Sequence, residues 1–226
     1  MIIYALIPAR AGSKGIKNKN IKLVKGKPLI DYTIQFSLRC PIISRTFVST
    51  DSAKIQKLSL SLGAEAPFLR PKKISGDNAT DIQCFKHFYE YLLKNNIAIP
   101  DYFLHLRATS PIRTNKQIIK AYKKVKKLKP DSLRFIKEAN FSAFKLWKIN
   151  KNYIQPFIYE QKEYHSMGRQ YLPKTYIHSG IGDFISPKAI IKNSMVGKKI
   201  TYVIDQSKNY IDIDTIKDLN KFKKLS

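Results

Sequence analysis

A chain of 226 residues, 43% of them apolar, is long enough to bury a real core in one α/β domain with a small appendage. Lys and Arg number 42 against 16 Asp and Glu, a formal charge of +26, which implies an anionic partner or a basic background composition. No window approaches the roughly 18 apolar residues of a membrane span, and two isolated cysteines make neither a disulfide framework nor a Cys-pair metal site. The expectation is a soluble cytoplasmic protein that meets no membrane. The short apolar run at the N-terminus has no basic leader and reads as a strand rather than a signal peptide.

Apolar runs recur along the chain with helical patterns between them. Ile2 to Ile7 is the first strand. Pro28 can open a helix, PLIDYTIQFSLRC, with Leu29, Tyr32, Ile34 and Phe36 near helical spacing. Arg45 to Thr50 is a second strand. Asp51 or Ser52 can cap the next helix, which Gly63 ends. AEAPFL reads as a short strand. Thr80 or Asp81 caps a helix running toward Asn95. DYFLHLRATSP gives a strand ending in a loop, Asn115 to Lys127 a basic helix, and DSLRFI a further strand. The alternation predicts a doubly wound, mostly parallel sheet. From about residue 139 to 178 the chain turns aromatic and interrupted, which predicts hairpins and loops in an insertion with interface character. IGDFI and ITYVID resume strands, and Thr215 to Leu225 closes with a helix. One domain, residues 1–226, with an arm at about 139–178, is the simplest division.

Chemistry concentrates where strands end. The first strand empties into ARAGSKGIKNKN, where Gly12 and Gly15 allow close backbone approach and Arg10, Lys14 and Lys19 supply charge. Successive backbone N–H groups in such a loop can face an anion, and the strand ahead of it favours a triphosphate site over a solvated basic turn. The loop is neither a dinucleotide fingerprint nor a Walker A loop, since it lacks both spacings. In YIDIDTIKDL, Asp212 and Asp214 stand two apart in an extended stretch, which puts both carboxylates on one face. Two hard oxygen donors suit Mg²⁺ beside phosphate oxygens; the bland alternative is that Asp214 merely caps the last helix. LHLRATSPIRT again ends a strand, with Arg107, Thr109 and Ser110 able to reach the same crevice or to serve as ordinary turn residues. GRQYLPKTYIHSG carries Arg169 and Lys174 about a Tyr-rich turn, or is a plain surface loop.

Together these segments resemble the acylneuraminate cytidylyltransferases, the CMP-sialic acid synthetases. The likeness runs in order over nearly the whole chain: IPARAGSKGIKNKN, GKPLIDYTI, VSTD, the Arg70-Pro71 pair followed by GDNATD, TSPIR, RQYLPKTY and DIDT. The resemblance implies a Rossmann-like nucleotidyltransferase that joins CTP to the anomeric hydroxyl of a nine-carbon 2-keto sugar acid. It would release pyrophosphate, need Mg²⁺ and supply a CMP-activated sugar for surface glycan synthesis. It also implies roles. Arg10, Ala11, Gly12, Ser13, Lys14, Lys19 and Asn20 would hold the nucleotide phosphates, and Arg70, Ala79 and Asp81 would line the cytidine site. Asp212 and Asp214 would bind the metal. Arg107, Thr109, Ser110, Ser179 and Gly180 would face the sugar. A homodimer is implied, in which the arm brings Lys145 and Arg169 to the partner subunit's sugar carboxylate.

Three departures fall on the sugar side. Arg107-Ala108 stands where the family often carries Gln before its turn, Ser179-Gly180 replaces Asn-Gly, and IGDFI replaces an A-I-Y-I pattern. A planar, permanently charged Arg is no neutral stand-in for Gln. The nucleotide motifs match, so CTP is expected; the acceptor stays open among N-acetylneuraminic, legionaminic, pseudaminic and related acids. Rival readings are a 3-deoxy-manno-octulosonate cytidylyltransferase, a sugar-phosphate nucleotidyltransferase, and a catalytically dead binding homologue. A basic nucleic-acid-binding module is the distant one, since no helix-turn-helix, zinc-finger spacing or RNP-like aromatic run supports it.

Overall fold

The computed structural model describes residues 1–12, 15–159, 162–207 and 210–225. In chain order the elements are β1 (Ile3–Pro8), β2 (Leu23–Val24), β3 (Lys27–Pro28), α1 (Leu29–Arg39), β4 (Arg45–Ser49), α2 (Ala53–Ser61), α3 (Asp81–Lys94) and β5 (Tyr102–His105). They continue with α4 (Asn115–Leu128), β6 (Ser132–Glu138), β7 (Trp147–Asn150), β8 (Tyr153–Pro156), β9 (Tyr176–Ile185), α5 (Pro187–Ile191), β10 (Ile200–Ile204) and α6 (Ile216–Lys224). Six strands form the central sheet in the order β10-β6-β9-β5-β1-β4. All neighbours are parallel except β9, which runs antiparallel between β5 and β6. The mostly parallel α/β sheet expected from the alternation is therefore present.

Both sheet faces are covered, which explains why β1 reads as an unbroken apolar run. Ile3, Ala5 and Ile7 point to the face packed by α1, α2 and α4 through Ile30, Ile34, Ile55, Ile118 and Val125. Tyr4 and Leu6 point to the other face, packed by α3 and α5 through Phe85, Phe88, Leu92 and Ile190. The caps expected from sequence hold their helices: Ser52 Oγ accepts from Ile55 N, and Gln83 Oε1 accepts from Thr80 N at 2.9 Å.

Three local expectations change. AEAPFL forms no strand; Glu65 and Leu69 make isolated bridges to Phe47 and Thr50, because Pro67 breaks the run between them. The strand expected at IGDFI begins earlier, at Tyr176, where its first residues pair with Ile136–Glu138 past a register shift. The segment around Asp212 and Asp214 joins no strand, though Ile213 N donates to the Thr109 carbonyl at 2.8 Å; its period-two pattern survives as burial, with Ile211 and Ile213 inside.

The insertion folds outward. β7 and β8 form a separate antiparallel hairpin, and Ile149, Tyr153, Ile154, Phe157 and Tyr159 on and beside it are exposed. Among the described residues no helix is long and apolar enough to cross a membrane.

Candidate active site

A third apolar cluster builds the site. Ile16 from the first loop, Ile211 and Ile213 from the C-terminal extended segment, and Leu219 and Phe222 of α6 bury together with Val24 and Leu29. Tyr32 meets Phe222 edge-on, with ring centroids 5.2 Å apart. Each fully buried side chain of this kind contributes about 1.5–3 kcal/mol, enough to hold two chain ends against one another. The polar residues between these anchors are thereby brought to one place. Gly15 packs so close to the Asp214 carbonyl that a Cβ would collide with it. Lys19 Nζ donates to Asp214 Oδ1 at 2.7 Å.

The result is a cavity of about 530 Å³ beyond the carboxyl ends of β1 and β5, where parallel α/β sheets place their ligands. Arg10, Gly15, Lys19 and Asn20 line one side of it. Arg70, Ala79 and Asp81 line another, and Arg107, Thr109 and Asp214 complete it. Of the residues expected to hold phosphates, Ala11 and Asn20 also have structural tasks. Ala11 N donates to Asp51 Oδ1 at 2.9 Å, and Asn20 Nδ2 donates to the Arg10 carbonyl at 2.9 Å. Both bonds fix the backbone as it leaves β1. Arg10 Nη1 pairs with Asp77 Oδ1 at 2.9 Å. Gly12 has open space around its Cα. Ser13 and Lys14 lie outside the described residues. Arg70 is buried and donates from Nε to Ser75 Oγ at 3.1 Å.

Asp212 and Asp214 flank buried Ile213, so both carboxylates leave the apolar cluster on the same side. Thr215, not Asp214, caps α6, with Asp218 closing the capping box; Asp214 is left for Lys19. Asp212 is half-buried, with Ser110 Oγ at 3.4 Å. Among the described residues no group of three or more His, Cys, Asp or Glu converges. This donor set, two carboxylates beside a cationic loop, fits Mg²⁺ held jointly with phosphate oxygens rather than in an all-protein cage.

The acceptor-side residues divide. Arg107 and Thr109 line the cavity. Gly180 sits under Ser110: a Cβ there would strike Ser110 Oγ, and its N–H donates to Tyr210 Oη at 3.1 Å. Ser179 is buried and donates to Asp205 Oδ2 at 3.0 Å, in a network that includes Gln117. Lys145 donates to the carbonyls of His165 and Met167 at 2.8 and 2.6 Å within the arm, and Arg169 lines a separate arm cavity of about 340 Å³. Neither lines the main cavity of its own chain.

Several residues here had no sequence signal strong enough to single them out. Asp51 looked like a helix cap and braces the loop instead. Arg113 is buried beneath the TSPIR turn and donates to Thr33 Oγ1 at 3.0 Å, to the Arg107 carbonyl at 2.8 Å and to the Ser110 carbonyl. Asp183 is fully buried among cations. Burial works to raise its pKa, but the His178 hydrogen bond and the Arg107 and Arg134 charges outweigh it and hold the carboxyl well below the usual range. The only foretaste was the departure of IGDFI from the expected pattern.

Residues 4–178 match the family model described as Cytidylyltransferase. The pseudaminic acid cytidylyltransferase of Campylobacter jejuni is 35% identical over 216 residues, covering 95% of this chain and 91% of that protein. The CMP-N,N'-diacetyllegionaminic acid synthase of Legionella pneumophila is 41% identical over 116 residues, 50% of this chain and 48% of that protein. In fold, a CMP:2-keto-3-deoxy-manno-octonic acid synthetase solved with CTP superposes with a TM-score of 0.70 at 14% identity, covering 99% of this chain and 97% of that one.

Proposed function

We infer the reaction from one premise: the chain belongs to the cytidylyltransferase family and is a CTP-dependent nucleotidyltransferase. The reaction is transfer of CMP from CTP to the anomeric hydroxyl of a nonulosonic, sialic-like acid, with release of pyrophosphate. The observation that carries this reading is the cavity at the ends of β1 and β5, with the basic loop on its wall and Asp214 against that loop. The relatives named for pseudaminic and diacetyllegionaminic acids support a nonulosonic acceptor.

In this reading Arg10, Lys19 and Asn20 of the basic loop hold the triphosphate, and Arg70, Ala79 and Asp81 hold the cytidine. The acceptor lies beside Arg107, Thr109 and Ser110, so that its hydroxyl oxygen approaches the α-phosphorus opposite the pyrophosphate. Positioning and neutralisation of charge carry most of such a transfer. Lys19 and Arg10 offset the negative charge that develops on the leaving pyrophosphate. Asp212 and Asp214 would hold Mg²⁺, which supplies Lewis-acid charge stabilisation when bound. Lys19, paired with Asp214 at the cavity wall, would offer its ammonium to a phosphate oxygen beside that carboxylate.

A homodimer completes this picture. The exposed apolar side chains of the β7–β8 hairpin support it, as does the position of Lys145 and Arg169 away from their own cavity. A partner subunit's arm would bring the equivalents of these two cations to the acceptor. CTP as substrate supports a cytoplasmic site of action.

The test is pyrophosphate release from CTP with Mg²⁺ across a panel of 2-keto sugar acids, with ATP, GTP and UTP as controls. Turnover with CTP and a nonulosonate is expected. Preference for the eight-carbon 3-deoxy acid, or turnover with another nucleotide in place of CTP, would overturn the reading.

A further inference from the structure

Three adjacent strands set His105, Asp183 and Arg134 side by side. The register pairs His105 with Asp183 across β5 and β9, and Asp183 with Arg134 across β9 and β6. Asp183 has no solvent exposure. Its Oδ2 forms an ion pair with Arg134 Nη1 at 2.6 Å and accepts from Arg107 Nη2 at 3.0 Å. Its Oδ1 lies 2.7 Å from His178 Nε2. His105 Nδ1 stands 3.8 Å from Asp183 and 3.9 Å from Asp81. A buried charge cluster is a poor way to stabilise a sheet, because desolvation consumes most of the attraction, and apolar residues of the same volume serve as well. This one lies on a sheet face otherwise filled by Phe85, Phe88 and Phe103.

The cluster fixes Arg107 at the cavity. That residue follows β5 into the cavity wall. Its guanidinium is tied to Asp183 and its carbonyl to Arg113 Nη2 at 2.8 Å, so both ends of the residue are held. Its Nη1 has no hydrogen-bond partner among the described residues. A guanidinium donates five N–H bonds and accepts none. Gln at the same place would offer both a donor and an acceptor.

We propose that Asp183, aided by Arg134, is a positioning residue that fixes Arg107 as a donor-only determinant of acceptor choice. The acceptor must then present an oxygen there, from a carboxylate, hydroxyl or amide carbonyl, and a protonated amine is refused. This rests on the reading above that the acceptor lies beside Arg107.

The experiment is steady-state kinetics with the preferred nonulosonate. The variants are Asp183→Asn, Arg134→Gln, Arg134→Lys, Arg107→Gln and the double variant Arg107→Gln/Asp183→Asn. CTP affinity of each is measured by calorimetry. Asp183→Asn is expected to raise acceptor KM about tenfold or more while CTP KM and Kd stay within about twofold. The double variant should be no worse than Arg107→Gln within about threefold, because Asp183 acts through Arg107. Arg134→Gln should follow Asp183→Asn, with Arg134→Lys restoring part of the loss. If Asp183→Asn does not fold, the Arg134 pair carries the same comparison. Parallel loss of CTP and acceptor affinity, or full additivity in the double variant, would overturn the proposal. Failure of the wild-type protein to turn over any sugar acid removes the reading beneath it, and is distinguished by that control.

Discussion

Lys19 and Asp214 lie 195 positions apart in the chain, and their charged atoms meet at 2.7 Å. Lys19 is largely shielded while Asp214 is 70% exposed. Neither a local motif nor a helix cap accounts for the pair. The apolar cluster of Ile16, Ile213, Leu219 and Phe222 does, because it closes the first loop against the last segment before α6. This wall of the cavity is thus assembled from segments far apart in the chain, and its parts should be separable by mutation.

The first prediction concerns that pair. Asp214→Asn removes, from an exposed position, a carboxylate charge proposed to hold the metal, so the fold should be kept, with stability changed by less than about 0.5 kcal/mol. Turnover should fall by about 10² or more, and the Mg²⁺ concentration needed for half-maximal rate should rise. Lys19→Met should instead raise CTP KM. Pyrophosphate release titrated against Mg²⁺ and against CTP separates the two. Equal responses of both variants in both titrations would refute the division of labour.

The two loop glycines give a sharper contrast. A Cβ on Gly15 would collide with the Asp214 carbonyl, whereas a Cβ on Gly12 meets nothing within 4 Å. Gly15→Ala should therefore push the loop off the C-terminal segment, at a cost of about 1–3 kcal/mol, and weaken CTP binding. Gly12→Ala should leave thermal stability as it is. Melting curves with and without CTP check both. A Gly15→Ala variant as stable and as tight as wild type would mean that the loop has room to yield.

This contrast shows where the sequence was legible and where it was not. The parallel sheet could be read because its strands and helices carry their own periodicity, as in Ile3, Ala5 and Ile7 against Ile30 and Ile34. The loop, the Asp pair and the residues around Arg70 could be read because each sits in a distinctive local run. What escaped was every contact that spans strands. Asp183, Arg134 and His105 come together only through register, which no local pattern encodes. Asp51 was legible as a candidate helix cap and not as the acceptor of Ala11 N, because that bond crosses 40 positions. AEAPFL carried strand propensity, but edge position and a proline left it with two bridges.

The arm makes an assembly prediction. Ile149, Tyr153 and Tyr159 are each at least 80% exposed on one small appendage, an unusual concentration for a free surface. Ile149→Asp with Tyr153→Ser should leave the central domain folded, convert a dimer to a monomer in sedimentation, and raise acceptor KM more than CTP KM. A monomeric wild-type protein with full activity would remove the arm from the mechanism.

The last prediction is a pH dependence of stability with a defined sign. His105 is buried against Phe85, with ring centroids 5.1 Å apart. Burial is the main cause that lowers its pKa to about 4, and the Arg107 charge adds to it. In the unfolded chain the same imidazole titrates near its ordinary value of about 6.5. Between these values the unfolded state binds a proton that the folded state refuses. Stability therefore rises with pH across this window and is lost as pH falls from about 6.5 toward 4, by up to about 3 kcal/mol for this one group. Asp183 adds little to the slope above about pH 5, because its carboxyl is ionised in both folded and unfolded states there; its own contribution is lost as pH falls through and below the ordinary Asp value of about 3.9. Urea denaturation at pH 7 and pH 4.5 should show the drop, and His105→Phe should flatten it while keeping the packing on Phe85. A variant whose stability falls as steeply as wild type between those pH values would assign the slope to other groups.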